Sequence, residues 1–263
     1  MIVYYIVVFI LGLLTGSLLN ECISSMPQGK SVVWLNLHCR SCGARLKLSD
    51  IVPVLSYIFL RARFRCCKER IPVRYLLVDL TAAISFLLLF VKYSMTIDFV
   101  VYAYLMSVLI VVAYIDIDHR IIPDELVAAG LFGGIALFFY SLFKTMDIYG
   151  DSKWWNPLLG AVSSSGILFL IALVSSLIYK SDDAMGMGDI KIFMPIGLFL
   201  GWRMCLLALI LSIIAGGICG AFLIATGKKR KRDTIPFGPF IVFSTFISVM
   251  WGWDIVRWYI TGL

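Results

Sequence analysis

Residues 97–124 read IDFVVYAYLMSVLIVVAYIDIDHRIIPD. The part from Ile97 to Ile115 is long and apolar enough for a helix to cross a bilayer, which takes about 20 residues. It stops on Asp116-Ile117-Asp118-His119-Arg120, and after Pro123-Asp124 a new apolar run begins. Ionisable groups at the edge of hydrocarbon are costly to hold there, so each one marks a possible site.

Similar apolar runs lie at 2–19, 75–91, 126–143, 158–179, 192–200, 204–226 and 235–256. The run at 192–200 is only about half a span, so its helix is expected to take in the polar residues just before it. The whole composition agrees with a chain solvated by lipid. Of 263 residues, 61% are hydrophobic and 15% charged, with a mean hydropathy of +0.95. Soluble domains sit near half and a quarter. Secreted disulfide scaffolds, disordered tails and soluble nucleic-acid binders are excluded. The expected fold is an all-α polytopic membrane protein of about eight transmembrane helices. It divides into a first helix (1–19), a cytoplasmic cysteine-containing insertion (20–73) and a seven-helix core (74–263). The first run lacks a basic n-region, which argues against a cleaved signal peptide.

Eight spans place the loops alternately on two sides. All of the 23 Lys and Arg residues fall on one side except Lys92, Lys144, Lys153, Arg203 and Arg257. Positive loops stay in the cytoplasm, so both termini are expected outside. The net charge of +7 then reflects topology and contact with lipid headgroups. The run Lys228–Arg232 lies between two spans and belongs to that pattern, not to nucleic-acid binding.

The long loop holds five of the seven cysteines. Cys39-Arg-Ser-Cys42 makes a tight knuckle, and Cys66-Cys67 follows. Cytosolic thiols stay reduced. Four thiolates in two clusters suit a structural zinc site that folds a loop too small for its own core. His38 is a possible substitute ligand, and unmetallated thiols are the alternative.

A second polar cluster opens the run at 192–200: Gly186-Met187-Gly188-Asp189-Ile190-Lys191. The span count puts it on the same side as Asp116. Gly186 and Gly188 permit close backbone approach. Two carboxyls held together in a poorly solvated site share a proton. The ionised one can take a proton from water while the other donates to a scissile carbonyl. Asp116 and Asp189 are the candidates for that pair, with a helix cap the plainer reading of Asp189. Asp124 suits the start of a helix, and Asp118, Asp182 and Asp183 read as solvated charges. Histidines His38 and His119 stand in no nucleophile motif.

Gly186-Met187-Gly188-Asp189 resembles the GxGD motif of the bacterial prepilin peptidases, or type IV leader peptidases. Asp116 through Asp124 resembles that family's first aspartate motif. Further blocks match in order: Gly16–Asn20, Met26-Pro27, His38–Gly43, Pro53–Tyr57, Ile71–Asp79 and Pro236–Pro239. The resemblance implies a plasma-membrane aspartic endopeptidase with catalytic Asp116 and Asp189, and with Asp118 and Asp124 in accompanying positions. Its substrates would be prepilin or pseudopilin precursors with a basic leader, cut at the cytoplasmic face. It also implies N-methylation of the new N-terminus from S-adenosylmethionine, although no nucleotide-binding glycine motif is present. Lys191 matches a family lysine that could offset charge near Asp189 or anchor at headgroups. Asp79 stands where the family has glutamate, as a polar site or a helix-packing group. In the family the second cysteine pair reads CxxC. Here Phe64 holds the partner position of Cys67, and Cys66 is out of register. A carboxylate-coupled carrier and a silent assembly scaffold are the rival readings, and Asp182 and Asp183 are candidate contacts for a basic leader.

Overall fold

The computed structural model describes residues 2–28, 67, 72–144, 146–179, 186–230 and 234–262. Regular structure among them is helical throughout, as hydrocarbon demands of a backbone that must satisfy its own hydrogen bonds. The chain is an all-α polytopic membrane protein, with seven helices among the described residues long and apolar enough to cross. It forms two compact units, Met1–Phe99 and Val100–Leu263.

The first unit pairs α1 (Ile2–Ser25) with α2 (Val73–Tyr93). Small residues let the two backbones meet. A Cβ on Gly12 would lie 2.5 Å from Ala83 Cα, and one on Gly16 2.5 Å from Asp79 Cα. Such contact is how helices associate in lipid, where apolar side chains gain nothing by leaving their solvent. The aromatic rings of Tyr5, Phe86, Phe90 and Phe99 meet edge to face towards one end. Farther along, the Asn20 amide donates to the Tyr75 carbonyl and to Asp79 Oδ1, each at 3.0 Å. Asp79 is wholly buried in this helix contact.

The second unit contains α3 (Ile97–His119), α4 (Asp124–Ser141), a 3₁₀ turn (Asp147–Tyr149), α5 (Asn156–Tyr179), α6 (Met187–Ala225) and α7 (Gly238–Thr261). Helix α3 is the most enclosed: 67% of its most apolar stretch is buried, against 17% for α5. The fold thus sets the helix that carries Asp116 in its last turn at the centre of its unit.

Helix α6 covers two of the expected apolar runs. Its 39 residues would extend about 58 Å if straight, nearly twice the bilayer core. It breaks at Gly201 (φ 72, ψ 172), a backbone conformation open to glycine alone. Cys205 Sγ lies 4.0 Å from the Phe193 carbonyl oxygen, whereas twelve residues of straight helix would separate them by about 18 Å. The chain therefore doubles back at Gly201. The expected spans at 192–200 and 204–226 are the two arms of this single bent element. Its first arm, 187–200, is about 21 Å long, shorter than a usual span. That arm does begin among the polar residues, at Met187, as the short apolar run required. The last helix starts at Gly238 rather than near 235, beyond Pro236, which interrupts helical hydrogen bonding.

A polar knot holds the bend. The N–H of Trp202, which opens the second arm, donates to Asn156 Oδ1 at 3.1 Å. This is an N-cap supplied by a different helix. The Asn156 amide donates to the Tyr149 carbonyl at 3.0 Å and to Asp151 Oδ1 at 2.6 Å. Arg203 reaches Asp151 Oδ2 at 3.2 Å. The Tyr149 hydroxyl donates to the Leu198 carbonyl at 2.9 Å, one of the orphan acceptors at the end of the first arm. Burial pushes the Tyr149 hydroxyl's pKa up, so it stays a neutral donor. Burial opposes ionisation of Asp151, but hydrogen bonds from Asn156 and the Lys153 amide, with the nearby Arg203 and Lys153 charges, outweigh it and hold the carboxyl below its ordinary range.

Candidate active site

Asp116 occupies the last turn of α3 and is 6% exposed. The N–H of Gly238, first residue of α7, donates to its Oδ2 at 2.7 Å. Glycine is needed at 238 for a spatial reason. A Cβ there would lie 2.9 Å from Asp116 Oδ2 and 3.0 Å from its Cβ. Arg120 sits in the left-handed region (φ 56), with its N–H on the Asp116 carbonyl at 2.9 Å. The turn aims its guanidinium at Thr234 Oγ1, 2.8 Å away, and Lys229 Nζ donates to the Thr234 carbonyl at 3.2 Å. Two cations therefore anchor the segment that delivers the Gly238 amide to Asp116.

Asp189 lies in the first turn of α6, with its N–H on the Gly186 carbonyl at 3.1 Å. A side chain at 186 would come 3.2 Å from Asp189 Oδ2, and one at 188 would come 2.8 Å from Ile122 Cβ. The glycines keep the approach to the carboxyl open and let the helix start sit against the segment after α3. Asp189 is half-buried, and the Asp116 charge acts on it directly. The fold thus brings the two carboxyls to one end of the unit, on helices 73 positions apart in sequence.

The accompanying residues are placed differently. Lys191 makes an ion pair with Asp124 at 2.7 Å, both partly or largely exposed. It therefore tethers the first arm of α6 to the start of α4 instead of facing Asp189. Asp118 and His119 are exposed at the end of α3. Asp79 belongs to the first unit and is bonded to Asn20. Cys39, Cys42, Cys66, His38, Asp182 and Asp183 lie outside the described residues. Cys67 is half-buried. Among the described residues no group of three or more His, Cys, Asp or Glu could hold a metal ion.

Sequence reasoning missed Gly238, Arg120 and Thr234 as parts of the site. Pro236-Phe237-Gly238-Pro239 was legible as a block, but nothing local says that its Gly238 amide meets a carboxylate 122 residues away.

Comparison with known proteins agrees with this architecture. Residues 10–93 match the bacterial peptidase A24 N-terminal domain, and residues 103–221 match the type IV leader peptidase family. A prepilin leader peptidase/N-methyltransferase of Pseudomonas putida is 28% identical, over 94% of this chain and 90% of the relative. One from Bacillus subtilis (strain 168) is 28% identical over 97% of both chains. One from Myxococcus xanthus (strain DK1622) is 33% identical over 87% of this chain and 66% of its own length. No solved structure matches. Both aspartates fall within the second matched region, and the paired helices of the first unit lie largely within the first. The chain belongs to the type IV leader peptidase family.

Proposed function

We propose that this enzyme is an aspartic endopeptidase that removes the basic leader from membrane-anchored prepilin or pseudopilin precursors at the cytoplasmic face. The observation that supports it best is the meeting of Asp116 and Asp189 at one end of the second unit, with Asp116 Oδ2 tied to the Gly238 amide at 2.7 Å. Peptidase activity is the activity of the family. The asymmetry of the pair suggests the roles. With the Gly238 amide on its Oδ2, Asp116 is suited to act as general base, leaving Oδ1 to take a proton from water. Asp189 then donates its proton to the scissile carbonyl oxygen as the water oxygen attacks carbon. Collapse of the tetrahedral intermediate breaks the C–N bond. The proton gained by Asp116 passes to the leaving amine, and the hydroxyl proton returns to Asp189. No covalent enzyme intermediate is required.

The substrate's own apolar segment would remain in lipid while its leader extends to the basic side. The distribution of Lys and Arg supports a cytoplasmic site in the inner membrane, with both termini outside. The relatives' names couple cleavage to N-methylation, and we extend that second activity to this chain. S-adenosylmethionine would supply an electrophilic methyl group to the new N-terminal amine. Of the four cysteines considered for zinc, Cys39, Cys42 and Cys66 lie outside the described residues. No step above depends on either group.

The test is cleavage of a leader-bearing pilin precursor by the purified protein in detergent, read by intact mass. Wild type should release the leader, and D116N and D189N should each fail while remaining folded. Cleavage by either variant at the wild-type rate would remove the dyad. An added methyl mass with S-adenosylmethionine would reveal the second activity.

A further inference from the structure

Every polar group discussed for catalysis sits at one end of the second unit, yet the most densely bonded polar cluster sits at the other. We infer that Asn156 and Tyr149 are positioning residues for Asp189, acting through the first arm of α6. The inference rests on the peptidase reading above for its kinetic test only.

The first arm is a rod of helix with Asp189 in its first turn and Leu198 near its far end. Its side contacts are apolar, some through small residues and one through the Phe199 ring stacked on Tyr104. Gly197 lies against the backbone of Gly160 and Ala161, and Pro195 lies against Gly130. Contacts of that kind favour closeness without specifying a direction, so they resist separation more than sliding. Directional bonds are what set the axial position of a rod. Near Asp189 the arm has the Lys191–Asp124 pair, whose two side chains are 41% and 73% exposed, and such pairs hold geometry weakly. At the far end the bonds are enclosed. Tyr149 is 3% exposed and Asn156 is fully buried. The Tyr149 hydroxyl holds the Leu198 carbonyl, and Asn156 holds the Trp202 amide one residue beyond the bend. Between them they grip both sides of Gly201.

Because an α-helix transmits axial position along its length, fixing Leu198 fixes Asp189 about 13 Å away. Asp116 is held independently, by the Gly238 amide at the start of α7. The distance between the two carboxyls is therefore set by two separate anchors, one beside the site and one across the unit. Asp151 and Arg203 complete the far anchor: Asp151 accepts from Asn156 and from Arg203, which orients the Asn156 side chain for its cap.

The experiment compares N156A, Y149F and N156S with wild type and with L168A, a core truncation selected as a stability control. The kinetic readouts are kcat, KM and the pH profile of cleavage. The structural readout is the rate of disulfide formation by an I122C/G188C pair, identified by peptide mass. That pair reports the seating of the first arm beside the site, where a Cβ at 188 would meet Ile122. In protein that retains its helical spectrum, N156A and Y149F should lower kcat about 10- to 100-fold, the size of effect expected when a catalytic group moves by about 1 Å. KM should stay within about twofold, and the limbs of the pH profile should move as the coupling between the carboxyls changes. Disulfide formation should slow in parallel. N156S keeps an oxygen for the Trp202 N–H and should recover part of both. L168A should change thermal stability and leave the pH profile and cross-link alone. Unchanged kcat, pH profile and cross-linking in N156A and Y149F would overturn the inference and reduce the knot to a stability element. Should N156A fail to fold, Y149F decides, since it removes one oxygen only. Should wild type prove inert on precursors, the peptidase reading fails and the cross-link alone decides the positioning.

Discussion

The two ends of the second unit use polar residues in opposite ways. At the aspartate end, two carboxyls are brought near each other, and only one of them receives an amide donor from the start of α7. At the bend end, the buried Asn156 side chain makes three hydrogen bonds, to a carbonyl, a carboxylate and an amide. A carboxylate occurs in both. Asp151 faces a cation and two donors and is spent on structure, while Asp189 faces another acid, as the proposed dyad requires. The difference teaches that a charge near a membrane becomes chemically useful where its partners are withheld.

The comparison can be broken most sharply at the dyad. D116N and D189N should each reduce cleavage by at least 10²- to 10⁴-fold, the usual worth of a positioned acid or base, with little change in thermal unfolding. Loss of folding in step with loss of activity would make the pair structural. G238A comes next. Its added methyl would lie 2.9 Å from Asp116 Oδ2, so cleavage should fall on the order of tenfold or more. Activity equal to wild type would show that the Gly238 contact does not constrain the carboxyl.

At the bend, N156A should destabilise the unit by about 1–3 kcal/mol, because it leaves buried donors and acceptors unsatisfied. Thermal unfolding with D116N as reference would measure this, and an unaltered midpoint would contradict the account of the cap. Asp151 also predicts a pH dependence. Its carboxyl is held below its ordinary range in the folded state, so its contribution is complete above the unfolded pKa of about 4. That contribution fades as the pH falls through the lower folded value. Stability measured from pH 6 down to pH 3 should thus fall less steeply in D151N than in wild type. The smallest effect belongs to the exposed Lys191–Asp124 pair. D124N should alter stability by no more than about 1 kcal/mol, and a larger change would give this tether a role closer to that of the knot.

Much of this protein was legible from its residues because lipid leaves few choices. Long apolar runs must be helices, and acids that close them stand out. Asp116 and Asp189 were found on that ground, and the order of the family's motifs pointed the same way. The break at Gly201 was legible as the gap between the runs 192–200 and 204–226, but the reversal of the chain there was not. Leu200-Gly201-Trp202 lies in a stretch hydrophobic enough to pass as the gap between two spans, and only the proximity of Phe193 and Cys205 shows the arms folding together. Lys191 could offset charge near Asp189 or anchor at headgroups, but helical geometry turns it towards Asp124.

What the sequence determined by itself was therefore the solvent, the helical class and which acids stand at the ends of apolar runs, since these follow from local composition and spacing. The tertiary structure alone decided which amide meets Asp116, which asparagine caps Trp202 and where the first arm of α6 stops. Those facts join residues 122 and 46 positions apart. Hydrogen bonds of that reach depend on how whole helices pack, and no periodicity in a single segment encodes them.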